Sequence, residues 1–197
     1  MFRKLLFVSL VSLSSLGLFG QSVTLELGAG VGAEQTSGNR IGKISLNAAI
    51  YRQFTDKLSF GLDFTVGSNF IPSDNSTVEG NTEILDPYGA QWSSAMVKAK
   101  YRFLKSVPAY VAMNAGVNSY LWNVHALETT RVNRVNFAVA QELGVDLLSD
   151  FTISMRYLLG GKTPEFTGDR GGNTFVSLEA ERVNILMFSL AYRIKLW

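Results

Sequence analysis

Ten charged residues recur at one parity of alternating segments. They are Glu26, Asp63, Glu142 and Asp146, with Lys98, Lys100, Arg102, Arg156, Arg193 and Lys195. Carboxylates facing ammonium and guanidinium groups could do one of two things. They could relay protons or gate a passage. They could instead pair as a structural network. In a narrow enclosure an isolated charge is costly, whereas a paired one is tolerated. The favoured reading is a salt-bridge network, with Glu142 opposite Arg156, Asp146 opposite Thr152, and Glu26 beside Arg193. A second candidate is His125, the only histidine, with Ser119 and Glu128 close in sequence. That set could support general-base chemistry. A lone histidine in a long connection reads more simply as a solvated residue. A third is the acidic stretch with Asp74, Glu79, Glu83 and Asp86 and no basic neighbour. Its spacing matches no twelve-residue calcium loop, so it reads as a solvated acidic loop. Gly28, Gly30 and Gly32 alternate within a strand and precede no helix, which excludes a nucleotide loop. They instead make room on a crowded face. No cofactor or metal is implied.

These residues need elements to hold them. From residue 22 onward the dominant period is two, the signature of strands. Eight segments show it: 22–32, 41–51, 57–70, 91–103, 109–122, 134–147, 151–159 and 184–197. The clearest sets Leu58, Phe60, Leu62, Phe64 and Val66 against Ser59, Gly61, Asp63, Thr65 and Gly67. Connections alternate between short (QFTDK, LKSVP, LLSD) and long and polar. An even antiparallel meander with turns at one end and long loops at the other predicts an all-β, eight-stranded antiparallel transmembrane barrel.

Which face turns outward follows from composition. One face is almost free of charge, as hydrocarbon requires; the other carries Gly, Ala, Ser, Asn and the charges. Small and polar residues suit the tight interior of an eight-stranded barrel. Gln141 is the exception: parity places it on the apolar face, unless a bulge or local packing intervenes. Aromatics cluster at both ends and predict two girdles. Phe54, Phe103, Tyr110, Phe151 and Trp197 stand near short turns, and Phe70, Trp92, Tyr120 and Trp122 near long loops.

The opening MFRKLLFVSLVSLSSLGLFGQ has a basic start, an apolar stretch and a small residue at Gly20. It reads as a secretory signal peptide over 1–20, with the barrel domain over 21–197. The whole chain has 18 basic and 16 acidic residues. Removing Arg3 and Lys4 leaves 16 of each, so the mature chain is neutral and no nucleic-acid partner is implied. There is no cysteine, which excludes disulfides and thiolate metal sites.

The signal peptide, GAGVG at 28–32, ELGVDLLSDFTISMRYLLGG at 142–161 and AYRIKLW at 191–197 together resemble the small outer-membrane β-barrel family of OmpA/OmpX-like proteins. The resemblance covers the mature chain and is one of pattern. It implies outer-membrane lipid and lipopolysaccharide as surroundings, with both termini periplasmic. It also implies insertion by the outer-membrane assembly machinery, which reads a last strand ending in an aromatic; Tyr192 and Trp197 would carry that signal. Here Trp197 shares parity with Arg193 and Lys195, so without a bulge it points into the barrel mouth. No periplasmic domain is expected after the last strand. The expected function is non-enzymatic: a structural or adhesion-type role through four long extracellular loops meeting an unknown ligand, above a lumen closed by charge. The alternatives are a narrow OmpW-like conduit for small apolar molecules and a lipid-A-modifying barrel enzyme.

Overall fold

In a computed structural model, the described residues are 22–36, 40–69, 76–79, 82–85, 91–103, 108–124, 130–147, 150–171, 174–178 and 180–196. The expected signal peptide, His125, Glu128, Asp74, Asp86 and Trp197 lie outside them, as does the side chain of Trp122.

Eight long strands make a closed barrel. They are β1 (Val23–Gln35), β2 (Arg40–Gln53), β3 (Leu58–Asn69), β6 (Gln91–Arg102), β7 (Ala109–Val124), β8 (Thr130–Leu147), β9 (Phe151–Lys162) and β12 (Arg182–Lys195). Each pairs antiparallel with its neighbours, and β1 closes on β12 from Thr24↔Lys195 to Gln35↔Asn184. Closure leaves no barrel edge unpaired, the condition for standing in hydrocarbon. The β2–β3 turn shows how a short connection is held. Phe54 N–H donates to the Leu58 carbonyl at 2.9 Å, and the Thr55 hydroxyl accepts from Leu58 N–H at 3.0 Å.

The long connections hold structure that alternation alone did not reveal. Two of them contain β4 (Ser76–Glu79), β5 (Thr82–Leu85), β10 (Phe166–Gly171) and β11 (Thr174–Leu178). These form a separate sheet in the order β10-β11-β5-β4, with β11 and β5 parallel. The segments STVE, TEIL and TFVSL are rich in β-branched residues but too short to show a clear period. Several barrel strands also run past their expected ends, β8 starting at Thr130 instead of 134. Where β9 leaves the barrel it bulges: the register with β12 shifts between Arg182 and Asn184, and Gly161 takes φ +86°. Only glycine adopts that backbone freely.

The distribution of polarity is inverted relative to a soluble protein. Phe137 is 72% exposed and Leu46 63%, while Asp63 and Lys43 are fully buried. Aromatic pairs ring the short-turn end on the outside: Phe54–Phe60, Tyr101–Phe103 and Phe151–Tyr192, with centroids 5.5, 5.7 and 5.2 Å apart. Tyr110, Trp92 and Tyr120 are a correction. All three are buried inside the barrel and belong to neither girdle. Tyr110 stands directly opposite Gly144, and Trp92 opposite Gly67. A Cβ on either glycine would strike the partner's ring, so each ring lies over a position kept bare for it.

Candidate functional site

Alternation turns one side chain in two inward, and the barrel gathers them from all eight strands. At the short-turn half of the lumen, Glu26, Asp63, Lys98, Lys100, Arg102, Glu142, Asp146, Arg156 and Arg193 form one connected set. Arg156 is its hub. Its Nη2 and Nη1 grip Asp63 at 2.6 and 2.8 Å, while Nη2 and Nε hold Glu142 Oε2 at 2.8 and 3.0 Å. β9 and β3 are diametrically opposite in the strand order, so the Arg156–Asp63 pair crosses the whole lumen.

Lys98 Nζ lies 2.9 Å from Glu142, 3.8 Å from Asp63 and 3.9 Å from Glu26. Lys100 Nζ bridges Glu26 at 3.2 Å and Asp146 at 3.3 Å. Asp146 also accepts Arg102 at 2.7 Å and Arg193 at 2.8 Å. Each carboxylate therefore meets at least two cations, which is how low-dielectric charge is made tolerable.

The register matches the expected pairs Glu142↔Arg156, Asp146↔Thr152 and Glu26↔Arg193. Thr152 donates to Asp146 at 2.9 Å. Arg193 reaches across β9 to Asp146 on β8 at 2.8 Å. Lys195 is exposed at the rim. The β1–β12 register is unbroken from Gln35↔Asn184 to Thr24↔Lys195, so no bulge resets parity up to Lys195.

Several participants were not singled out from sequence. Tyr51 donates to Glu26 at 2.7 Å and Tyr110 to Glu142 at 2.8 Å. Their rings also flank Lys100, whose Nζ is 5.0 Å from the Tyr51 centroid and 3.8 Å from that of Tyr110. Such a contact stabilises a cation further. The available signal was an inward-parity aromatic opposite a glycine, since Tyr51 faces Gly61 as Tyr110 faces Gly144. A separate buried pair, Lys43 Nζ to Glu34 Oε2 at 2.6 Å, stands near the long-loop rim.

Above the charges the lumen changes character. Trp92, Met96, Tyr120, Leu158, Val183, Ile185 and Met187 pack together with Ala138 and Ala140 into a buried apolar cluster. Ser119, the remaining described member of the candidate general-base set, donates to Asn133 Oδ1 at 2.7 Å on the exposed side of the barrel. Among the described residues no group of acids and histidines could hold a metal ion.

Comparison with solved structures agrees with this architecture. Neisserial surface protein A superposes with a TM-score of 0.60 at 15% identity, covering 90% of this chain and 99% of its own. The fold is that of the small outer-membrane β-barrels. Ail, the attachment invasion locus protein of Yersinia pestis, superposes at 0.51 with 13% identity, over 89% of this chain and 100% of its own. No protein-family model matches the chain, and no curated protein matches it in sequence.

Proposed function

We propose that this chain is a non-enzymatic outer-membrane surface protein whose long loops meet the outside and whose barrel is a sealed support. The observation that carries this reading is the four-stranded sheet built jointly by the β3–β6 and β9–β12 connections. Loops that only joined strands would not pair with each other; a built sheet presents a fixed surface. The apolar exterior supports a hydrocarbon surrounding, where a charge at mid-height costs about 2–4 kcal/mol. The Arg156–Asp63 crossing and the apolar cluster above it support a closed lumen, and their packing disfavours a conduit for apolar molecules. Ail has been crystallised with a heparin analogue, sucrose octasulfate. The stretch 68–89 here carries acids and no base, so this loop suits a cationic partner instead of a polyanion. Residues 1–20 serve as the export signal, and Tyr192 and Trp197 as the mark read by the assembly machinery, leaving both termini periplasmic.

Limited proteolysis of intact cells tests the topology. Cleavage within 69–89 or 162–172, with the 148–149 turn protected, is the expected pattern; the reverse overturns it. Replacing 70–90 by a Gly-Ser linker should abolish cell-surface attachment while leaving a heat-resistant barrel. In a planar bilayer, steady large current steps would contradict the sealed lumen. Unchanged acyl release from lipopolysaccharide on His125→Ala is expected, and a His125-dependent release would restore the enzymatic alternative.

A further inference from the structure

The outward row of β8 reads Val135, Phe137, Val139, Gln141, Leu143, Val145 and Leu147. Gln141 interrupts it. A bulge could have turned this residue inward, but the register of β8 is continuous with both neighbours, from Ala109↔Val145 to Val124↔Thr130 and from Val139↔Leu159 to Leu147↔Phe151. Gln141 is exposed on the outer surface, between inward Ala140 and Glu142. It stands six positions above Leu147, where β8 ends. On a tilted strand that is roughly 15 Å, close to the middle of an apolar band about 25 Å tall.

An amide there has two donors and an acceptor and no water to satisfy them. The Gln141 side chain makes no hydrogen bond within the described structure, and neither does the hydroxyl of Tyr157, its direct cross-strand neighbour on β9. The surroundings are suited to contact. Met113 is its other direct neighbour, and Met155 stands opposite Leu143; both are exposed. Methionines adapt to a partner's surface better than branched side chains do.

We propose that this patch, centred on Gln141 and flanked by Met113, Met155 and Tyr157, is where two copies of the chain meet within the membrane. A primary amide is self-complementary: across a two-fold axis each Gln141 donates to the other's carbonyl and accepts in return. A closed two-fold contact of this kind is the commonest symmetry of protein pairs. The inference rests on the reading of the exterior as lipid-facing.

The chain has no cysteine, so one introduced thiol reports one position. Leu143→Cys, beside an intact Gln141, would be compared in dilute liposomes with Leu46→Cys on β2, diametrically opposite β8. Resistance of the inserted barrel to trypsin is scored first; a chain that stays digestible overturns the lipid-facing reading and the proposal with it. With a protected barrel, a short bis-maleimide should link Leu143→Cys at least fivefold more than Leu46→Cys. Adding Gln141→Leu should reduce it to the Leu46→Cys level. Equal linking at both sites overturns the proposal. So does linking that survives Gln141→Leu, since the copies would then meet by simple apolar contact without the amide pair.

Discussion

The two halves of the lumen solve the same packing problem with opposite chemistry. Near the short turns, nine ionised side chains interlock; near the long loops, Trp92, Leu158, Val183, Ile185 and Met187 fill the space. Both halves are buried, and both are lined by the same alternation. The difference teaches that inward parity specifies burial without specifying polarity. In the charged half, stability depends on every partner being present. In the apolar half, it depends on volume, and the loss from truncation scales with the cavity left.

Substitutions can break this contrast. The largest effect is expected at Arg156→Ala, which leaves Asp63 and Glu142 to share Lys98 alone. A loss of about 3–5 kcal/mol, read from urea unfolding in detergent micelles, fits a buried pair losing one partner. Replacing Arg156, Asp63, Glu142 and Lys98 together by apolar residues of similar size should recover most of that loss, since Lys98 would otherwise keep only Glu26 at 3.9 Å. If the single variant is silent, the charged half is not a network. Leu158→Ala in the upper half should cost about 2–5 kcal/mol, with no recovery from altering neighbouring polarity.

Finer tests separate the layers. Tyr110→Phe removes one donor from Glu142 and keeps the ring over Gly144; about 1.5–3 kcal/mol is expected in the same unfolding measurement. Gly144→Val forces the Tyr110 ring aside and should cost about 1–3 kcal/mol, relieved when Tyr110→Ala is added. The smallest effect belongs to the rim. Arg134 and Glu165 pair at 3.6 Å, but Glu165 is 73% exposed. Glu165→Ala should change stability by no more than about 0.5 kcal/mol.

Much of this architecture was legible because period two carries position and register together. Once LSD was read as a turn, Glu142 had to face Arg156 and Asp146 had to face Thr152. What alternation cannot carry is reach across the lumen. The grip of Arg156 on Asp63 depends on barrel diameter and on rotamers, neither of which is a local property. Lys43 and Glu34 were missed because Glu34 fell in an expected loop; β1 in fact runs on to Gln35. Trp92, Tyr110 and Tyr120 were misplaced because closeness to a strand end was allowed to outweigh parity. The loop sheet was illegible for a different reason: strands of four to six residues offer too few alternations to count.

The Arg156–Asp63 pair joins residues 93 positions apart. It cannot exist in an open sheet, because opposite walls face each other only once the ends have met. Until then these ions keep their hydration, and afterwards they lose it together. Dehydration of the charged half is thus concentrated in the final step of assembly, as expected for contacts of long sequence separation. A half-closed barrel still lacks these partners and gains nothing from them, so the chain passes from open to shut without a comfortable place to stop.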